Sequence, residues 1–327
     1  MLGDLVQAFK KQSIDMTVLL PSSDQDSALK SYWHEGCEII SVRGLKTKDI
    51  SYFRRTLNEF INPWLIWLTL RIQKVFKNQQ FDGIIWYSPT IFWGPLIKRL
   101  KAQSACQSYL ILRDIFPDWA MHLGLLRPGL VYWFFKRVEH YQYQQADCIG
   151  VQSPNNLKYF QAQHPDLSNR TEVLWNWVPR ASLNNTKECS INLNATPFKD
   201  KVIFVYTGNL GIAQGGSLPI IALAHQLKKN SNIGILIVGR GTAINDLRDQ
   251  IASNEIANIL VFDEIDVTEI PALLKQCDVG MVFLDRRHQT QNIPGKFLTY
   301  LQSYLPVLAW VNPGNDLIDL INNYNLG

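Results

Sequence analysis

Residues 277–310, CDVGMVFLDRRHQTQNIPGKFLTYLQSYLPVLAW, decide the fold class. The stretch opens with an apolar run, residues 279–284, of the length expected for a strand buried on both faces in a parallel sheet. A basic loop follows, Arg286-Arg287-His288, and then a helix start. Asn292 is the expected N-cap, and Pro294 falls in the first turn, where its missing N–H costs nothing. The amides near Gly295 and Lys296 should then point outward. Such a terminus favours an anion by roughly 0.3–1 kcal/mol when exposed and about 2 when partly buried. The Lys296 ammonium and the nearby arginines add charge. A second apolar run, 306–310, closes a strand-loop-helix-strand unit whose loop belongs at the carboxyl edge of the sheet, where open α/β sheets bind ligands. A Pro-initiated helix between two strands is equally ordinary as plain packing, so both readings stay open on this unit alone.

Upstream, the second half starts with a strand at 202–206 and the turn Thr207-Gly208-Asn209-Leu210-Gly211. The turn leads through Ala213-Gln214-Gly215-Gly216 into a helix at 218–229. Glycines there permit close backbone approach to a phosphate or sugar. A strand at 235–238 ends in VGRG, which carries Arg240, and a strand at 259–262 runs into Asp263-Glu264-Ile265 and a helix at 267–276. In the first half, strands at 16–20, 38–42, 83–87, 108–112 and 148–151 alternate with helical stretches at 24–34, 51–77, 92–101 and 131–145, a βαβ series that implies a parallel sheet. Arg113, Asp114 and Asp118 follow a strand end, the usual place for catalytic side chains, although two acids so spaced are also common as helix caps. The polar, Asn-rich stretch 179–200 reads as a linker between an N-terminal domain, 1–178, and a C-terminal domain, 201–327.

Composition narrows the function classes. With 46% hydrophobic and 18% charged residues, the 327-residue chain is globular and long enough for two domains. Five scattered cysteines without a C-x-x-C pair argue against a disulfide framework or structural zinc, and six histidines form no H-E-x-x-H, so no metal site is expected. Residues 1–177 carry 20 Lys and Arg against 15 Asp and Glu; residues 178–327 carry 12 against 13. Nine of the ten tryptophans also lie in the first half, so the two domains should have different partners. Two stretches, 52–78 and 131–144, mix large aromatics with Arg and Lys. That fits a surface on an anionic membrane, and equally a core-facing helix with snorkelling cations. No G-x-G-x-x-G follows a strand and opens a helix, which disfavours a dinucleotide-dependent dehydrogenase.

The segment IPGKFLTYLQSYLPVLA resembles the P-x-K-x-x-E-Y-M-A-x-G-x-P-V-x-A segment of family 4 retaining glycosyltransferases with the GT-B fold. The string RDIFPDW with GLL after it, the aromatic-rich helix and ADCIGVQSPNNLKYF are similar to the branch implicated in O-antigen and capsule sugar transfer, including fucosamine transferases. The resemblance implies two Rossmann-like domains facing across a cleft. It further implies a diphosphate at Gly295 and Lys296, and two glutamates eight positions apart that hold the sugar and the ribose. Here those positions are Gln291 and Thr299, which can hydrogen-bond a hydroxyl but carry no charge. The turn Gly208, Asn209, Gly211, Gln214 stands where the family has a G-R-x-x-x-x-K-G turn; Arg240 or Lys296 would supply the missing charge, and the loop at Glu264 would lie against the base. Compared with the family, the chain reads as though it begins inside the first helix, without the opening strand, and ends before the helix that crosses back.

The resemblance implies a metal-independent transferase with no cofactor, the nucleotide-sugar being a substrate. It would move a sugar, from a UDP-linked donor, to a lipid-linked saccharide in surface polysaccharide synthesis. Asp114 or Asp118, beside Arg113, would face the acceptor hydroxyl. The expected place is cytoplasmic, on the inner face of the membrane through helices 52–78 and 131–144, with no nucleic acid partner. A UDP-sugar 2-epimerase of the same fold, and a truncated non-catalytic remnant or partner of an active transferase, remain as alternatives.

Overall fold

The computed structural model describes residues 2–77, 79–88, 90–178 and 187–327. They form two compact units. Unit 1 runs to Met121 and adds Leu126–Gln152 and Phe160–Leu174; unit 2 takes His122–Leu125, Ser153–Tyr159 and Trp175–Gly327. The boundary expected at 178 therefore misses two short segments. The second is tied in by hydrogen bonds: the Asn155 amide donates to the Asp316 carboxylate at 2.8 Å and its Nδ2 to the Gly314 carbonyl at 3.0 Å.

The elements of the first half are α1 (Leu2–Lys11), β1 (Thr17–Ser22), β2 (Leu29–His34), β3 (Cys37–Arg43), α2 (Tyr52–Ile72), β4 (Gly83–Tyr87), α3 (Gly94–Ser104), β5 (Gln107–Ile111), α4 (Asp118–His122), α5 (Leu130–Tyr143), β6 (Cys148–Val151), α6 (Pro154–Gln163) and β7 (Thr171–Val173). The helix expected at 24–34 is instead the strand β2, antiparallel to β3. Glu35 and Gly36 join the two strands at φ 52° and 74°, the positive pair that a two-residue hairpin turn demands. Tyr32 and Trp33 favour extended backbone, so turn and propensity together override the helical reading. The single parallel sheet expected here is two sheets, β1-β3-β2 and the all-parallel β4-β5-β6-β7. β1 and β4 are each paired on one side only, yet Leu19 and Ile84 pack against the same cluster of Ile40, Val42, Ile66, Leu70 and Leu96. α2 falls within the helical stretch expected at 51–77 and continues through Asn62 and Pro63. The Asn62 side chain accepts from the Leu45 amide at 2.7 Å and donates to the Leu45 carbonyl at 3.2 Å, fastening the helix to the preceding loop.

Unit 2 contains β8 (Val202–Thr207), α7 (Leu218–Leu227), β9 (Ile233–Val238), α8 (Ile244–Ser253), β10 (Ile259–Phe262), α9 (Ile270–Leu274), β11 (Val279–Phe283), α10 (Lys296–Gln302), β12 (Val307–Trp310) and α11 (Asp316–Tyr324). Its sheet is wholly parallel in the order β10-β9-β8-β11-β12. Alternate residues serve opposite faces. Val205, Leu236 and Val282 meet Phe297, Tyr300 and Leu317 on one side, while Ile235, Ile237 and Met281 meet Ile220, Ala224 and Leu247 on the other. Strand order reverses between β8 and β11, and ligands of doubly wound sheets bind beyond the carboxyl ends at such a reversal. The expected linker, 179–200, is not wholly a linker. Residues 179–186 lie outside the described residues, but Ile191, Leu193 and Phe198 are buried in the unit 2 core, apolar anchors within a polar stretch.

Candidate functional site

In unit 2 the carboxyl ends of β8 and β9 are laced past the sheet. Gly208 donates to the Val238 carbonyl and Leu210 to the Arg240 carbonyl, both at 2.8 Å. Gly239 makes this approach possible, since a Cβ there would lie 2.0 Å from the Gly208 carbonyl oxygen. Gly208 itself sits at φ +105°, and a Cβ on it would meet Lys296 Cε at 3.2 Å. Lys296 therefore lies directly over the turn that the sequence singled out. Its Nζ also stands 4.7 Å from the centroid of the Tyr206 ring, a cation–π contact. Among the described residues no carboxylate pairs with this ammonium. Burial alone lowers its pKa to about 8.

Two tyrosines, which the sequence reading passed over, hold this corner. Tyr206 stacks on Phe283 and donates its hydroxyl to the Asn209 carbonyl at 2.6 Å. Tyr300, fully buried, accepts from the Thr207 amide at 3.0 Å and so fixes α10 against the end of β8. Their signal was positional, one near the end of an apolar strand and one a helical turn after Lys296.

The helix start differs from expectation. Gly295 is the N-cap and Lys296 the first helical residue, so Asn292 does not cap α10 and Pro294 precedes it. The Phe297 and Leu298 amides turn back to the Pro294 and Gly295 carbonyls, while the Gly295 and Lys296 amides make no such backbone bond among the described residues. With seven residues, α10 has little dipole to offer, and the buried ammonium is the stronger feature. The basic loop is also less positive than its sequence. Arg287 is held by Asp285 at 2.8 Å, and burial lowers the pKa of His288.

The remaining residues that the sequence assigned to a donor divide into occupied and available groups. Gln214 accepts from the Gly211 amide at 3.0 Å and from Asn209 Nδ2 at 3.4 Å, so it shapes the turn from within. Gln291 is engaged at both ends of its amide, accepting from Asn312 at 2.7 Å and donating to the Pro313 carbonyl at 3.3 Å. Thr299 is half-buried on α10. Arg240 pairs with Glu264 at 3.2 Å, both side chains largely exposed. Such a pair contributes little and can be exchanged at small cost.

In unit 1 the three predicted residues separate. Arg113 is buried beyond β5 and donates to the Leu174 carbonyl at 2.8 Å, and its own carbonyl accepts from Gln152. Burial lowers its pKa, against the opposing effect of Tyr87, Tyr109 and Asp114 nearby. Asp114 is exposed. Asp118 is only 1% exposed, accepts from the Tyr132 hydroxyl at 3.0 Å and pairs with Lys136 at 3.1 Å. Lys136 also reaches Glu139 at 2.6 Å, and Glu139 accepts from Tyr143 at 2.9 Å. Asp118 is thus a framework carboxylate that binds α4 to α5, and Asp114 is the acid presented to solvent. Burial pushes Glu139 up to about 8 despite Lys136, and pushes His164, packed beside it, down to about 4.

No family model matches the chain. By sequence it is similar to the probable glycosyltransferase WbjE of Pseudomonas aeruginosa, 22% identical over 67% of this chain and 54% of that protein. It is also similar to the putative colanic acid biosynthesis glycosyl transferase WcaI of Escherichia coli K12, 24% identical over 71% of this chain and 57% of that protein. The chain spans little more than half the length of these curated relatives. Among solved structures, HepE of Anabaena in complex with UDP-glucose matches with a TM-score of 0.57 at 14% identity, over 94% of this chain and 89% of that one. A UDP-glucosyltransferase from Polygonum tinctorium matches with a TM-score of 0.50 at 13% identity, over 97% and 79%. At such identities the likeness is one of fold, and the fold is GT-B, as the resemblance in the sequence implied.

Proposed function

We propose that the chain is a glycosyltransferase of polysaccharide synthesis whose unit 2 takes a UDP-linked sugar. The observation that carries this reading is Lys296, a largely desolvated ammonium with no carboxylate paired to it among the described residues, placed over the Gly208 turn where the sheet order reverses. As the bond from the anomeric carbon to the diphosphate lengthens, negative charge collects on the leaving oxygen. A preorganised cation and the Gly295 and Lys296 amides stabilise that charge better than water does. Arg240 exchanges Glu264 for a phosphate, and Thr299 offers a hydroxyl to the donor. The similarity to WbjE and WcaI supports sugar transfer in polysaccharide synthesis, and the UDP-glucose in the HepE structure supports this choice of donor.

Unit 1 takes the acceptor, a lipid-linked saccharide, and Asp114 orients or deprotonates its hydroxyl. With retention at the anomeric carbon the departing phosphate oxygen can itself receive that proton, so Asp114 contributes mainly position. Tyr52, Phe53, Leu130 and Trp133 are each more than 60% exposed and share their helices with Arg54, Arg55 and Arg137. An aromatic and basic surface of this kind fits the anionic face of a membrane.

A second reading, a nucleotide-sugar binder without turnover, draws on Gln291, whose amide is engaged within the protein. One experiment separates the two. UDP-glucose and UDP-N-acetylhexosamines are tested for a rise in melting temperature, and for UDP release with a lipid-linked saccharide extract. Binding with release supports the transferase, binding alone supports the second reading, and neither response overturns both.

A further inference from the structure

The middle of α2 and the outer face of α5 border a slot of about 460 Å³, within the size range of small-ligand sites. Phe60 and Trp64 form one wall, Leu130, Trp133 and Phe134 the other, and Phe92 the floor. The slot is preformed. Phe60 and Phe92 meet edge to face at 5.9 Å, and the Trp93 amide donates to Gln142 Oε1 at 2.8 Å, fixing the floor to α5. A Cβ on Gly94 would come within 2.9 Å of the Tyr141 ring, so α3 and α5 are as close as their backbones allow. No carboxylate lines the slot, and two guanidinium groups flank it. Arg99 lies 4.1 Å from the centroid of Trp64, on the wall itself, and Arg137 is exposed at the rim with no ion pair among the described residues.

An apolar slot with cations at its edge matches a ligand with a hydrocarbon body and an anionic head. We propose that it binds the aliphatic chain of one phosphate-headed lipid, the anchor of the acceptor, with Arg137 on the phosphate. This rests on the reading of unit 1 as the acceptor side, and it goes further by assigning a single-molecule site where that reading has only a surface. A bare bilayer needs no slot. An apolar partner helix would gain nothing from guanidinium groups unmatched by acids in the lining. The aromatic walls suit a chain lying edge-on to the rings, and the exposed Leu130 and Trp133 would shield its outer side from water.

The test uses the whole protein and farnesyl diphosphate below its micelle concentration, with quenching of Trp64 and Trp133 fluorescence as the readout. Farnesol and inorganic pyrophosphate serve as the separate halves of the probe. Saturable quenching is expected from farnesyl diphosphate, with affinity roughly tenfold or more above farnesol, as a charge-assisted contact gives, and none from pyrophosphate. Arg137→Ala should remove the preference over farnesol, and Leu130→Asp with Phe134→Ser should abolish both responses. These side chains are exposed, and circular dichroism confirms that the variants fold. Three results would overturn the proposal: no saturable response, a response to anionic vesicles alone, or a dimer in sedimentation that Leu130→Asp dissolves and farnesyl diphosphate does not. Failed UDP-sugar binding beside intact farnesyl diphosphate binding would sink the proposed function and leave the slot standing.

Discussion

Each half of the molecule carries a lysine withdrawn from water, and the two are furnished in opposite ways. Lys136 in unit 1 is surrounded by Asp118 at 3.1 Å and Glu139 at 2.6 Å, with Tyr132 and Tyr143 on the same carboxylates. Lys296 in unit 2 has a tyrosine face and a glycine turn, and no acid among the described residues. The first arrangement is complete within the protein and serves the fold. The second leaves a positive charge that the proposed donor diphosphate would offset. Whether a buried charge is structural or functional is thus decided by what surrounds it, and the sequence alone does not display that.

The largest effect expected from this contrast is on stability. Lys136→Met leaves the buried Asp118 carboxylate without its cation, and denaturant unfolding should show a loss of about 3–5 kcal/mol. Lys296→Met should leave stability unchanged or raise it, because it removes a desolvated charge that has only the Tyr206 ring, and no carboxylate among the described residues, to offset its burial. A large loss in Lys296→Met would erase the distinction.

Next in size is donor binding. Lys296→Met should weaken UDP binding by roughly ten- to a hundredfold, the equivalent of a hydrogen bond to a charged group, measured by calorimetry. Lys136 variants that remain folded should bind UDP as before. Asp114→Asn and Asp118→Asn sharpen the same contrast within unit 1. The first should reduce transfer with little change in melting temperature, while the second should lower the melting temperature through its contacts with Tyr132 and Lys136.

A smaller effect is expected from pH. Burial holds Lys296 at about 8, so its charge disappears as pH rises through that value. UDP affinity should fall severalfold, about three- to tenfold, between pH 7 and 9, and Lys296→Arg should flatten the profile because arginine stays charged. Linkage gives the opposite sign for unliganded stability. The unfolded chain keeps its lysine protonated up to the ordinary value of 10.5, so this residue's contribution should rise with pH above about 8. Glu139, raised to about 8 by burial, contributes stability that is lost as pH rises through that value. Lys296→Met removes the first contribution, and Glu139→Gln the second.

Much of unit 2 was legible because its strands are continuous apolar runs between glycine turns, and such runs in a parallel sheet leave few alternative registers. Strands 83–87 and 148–151 of unit 1 were legible for the same reason. The β2–β3 hairpin was hidden because Glu35-Gly36 gives a weaker signal than Asn-Gly, and Leu29 to His34 has no clean alternation of apolar and polar residues. The candidate site was half visible. Lys296, Gly208 and Arg240 announced themselves through motif and turn, whereas the engagement of Gln291 by Asn312 depends on a contact 21 residues away. Asp118 and Asp114 look alike in the sequence. Only Tyr132 and Lys136, brought in by α5, show that one is framework and the other faces solvent.

The most direct test is the proton balance of UDP binding. At pH 8.5, calorimetry in two buffers of different ionisation enthalpy should reveal uptake of a fraction of one proton as Lys296 recharges against the diphosphate, and that uptake should be absent in Lys296→Met. Binding with no proton uptake in the native protein, or with the same uptake in the variant, would contradict the assignment of Lys296 as the cation that holds the donor.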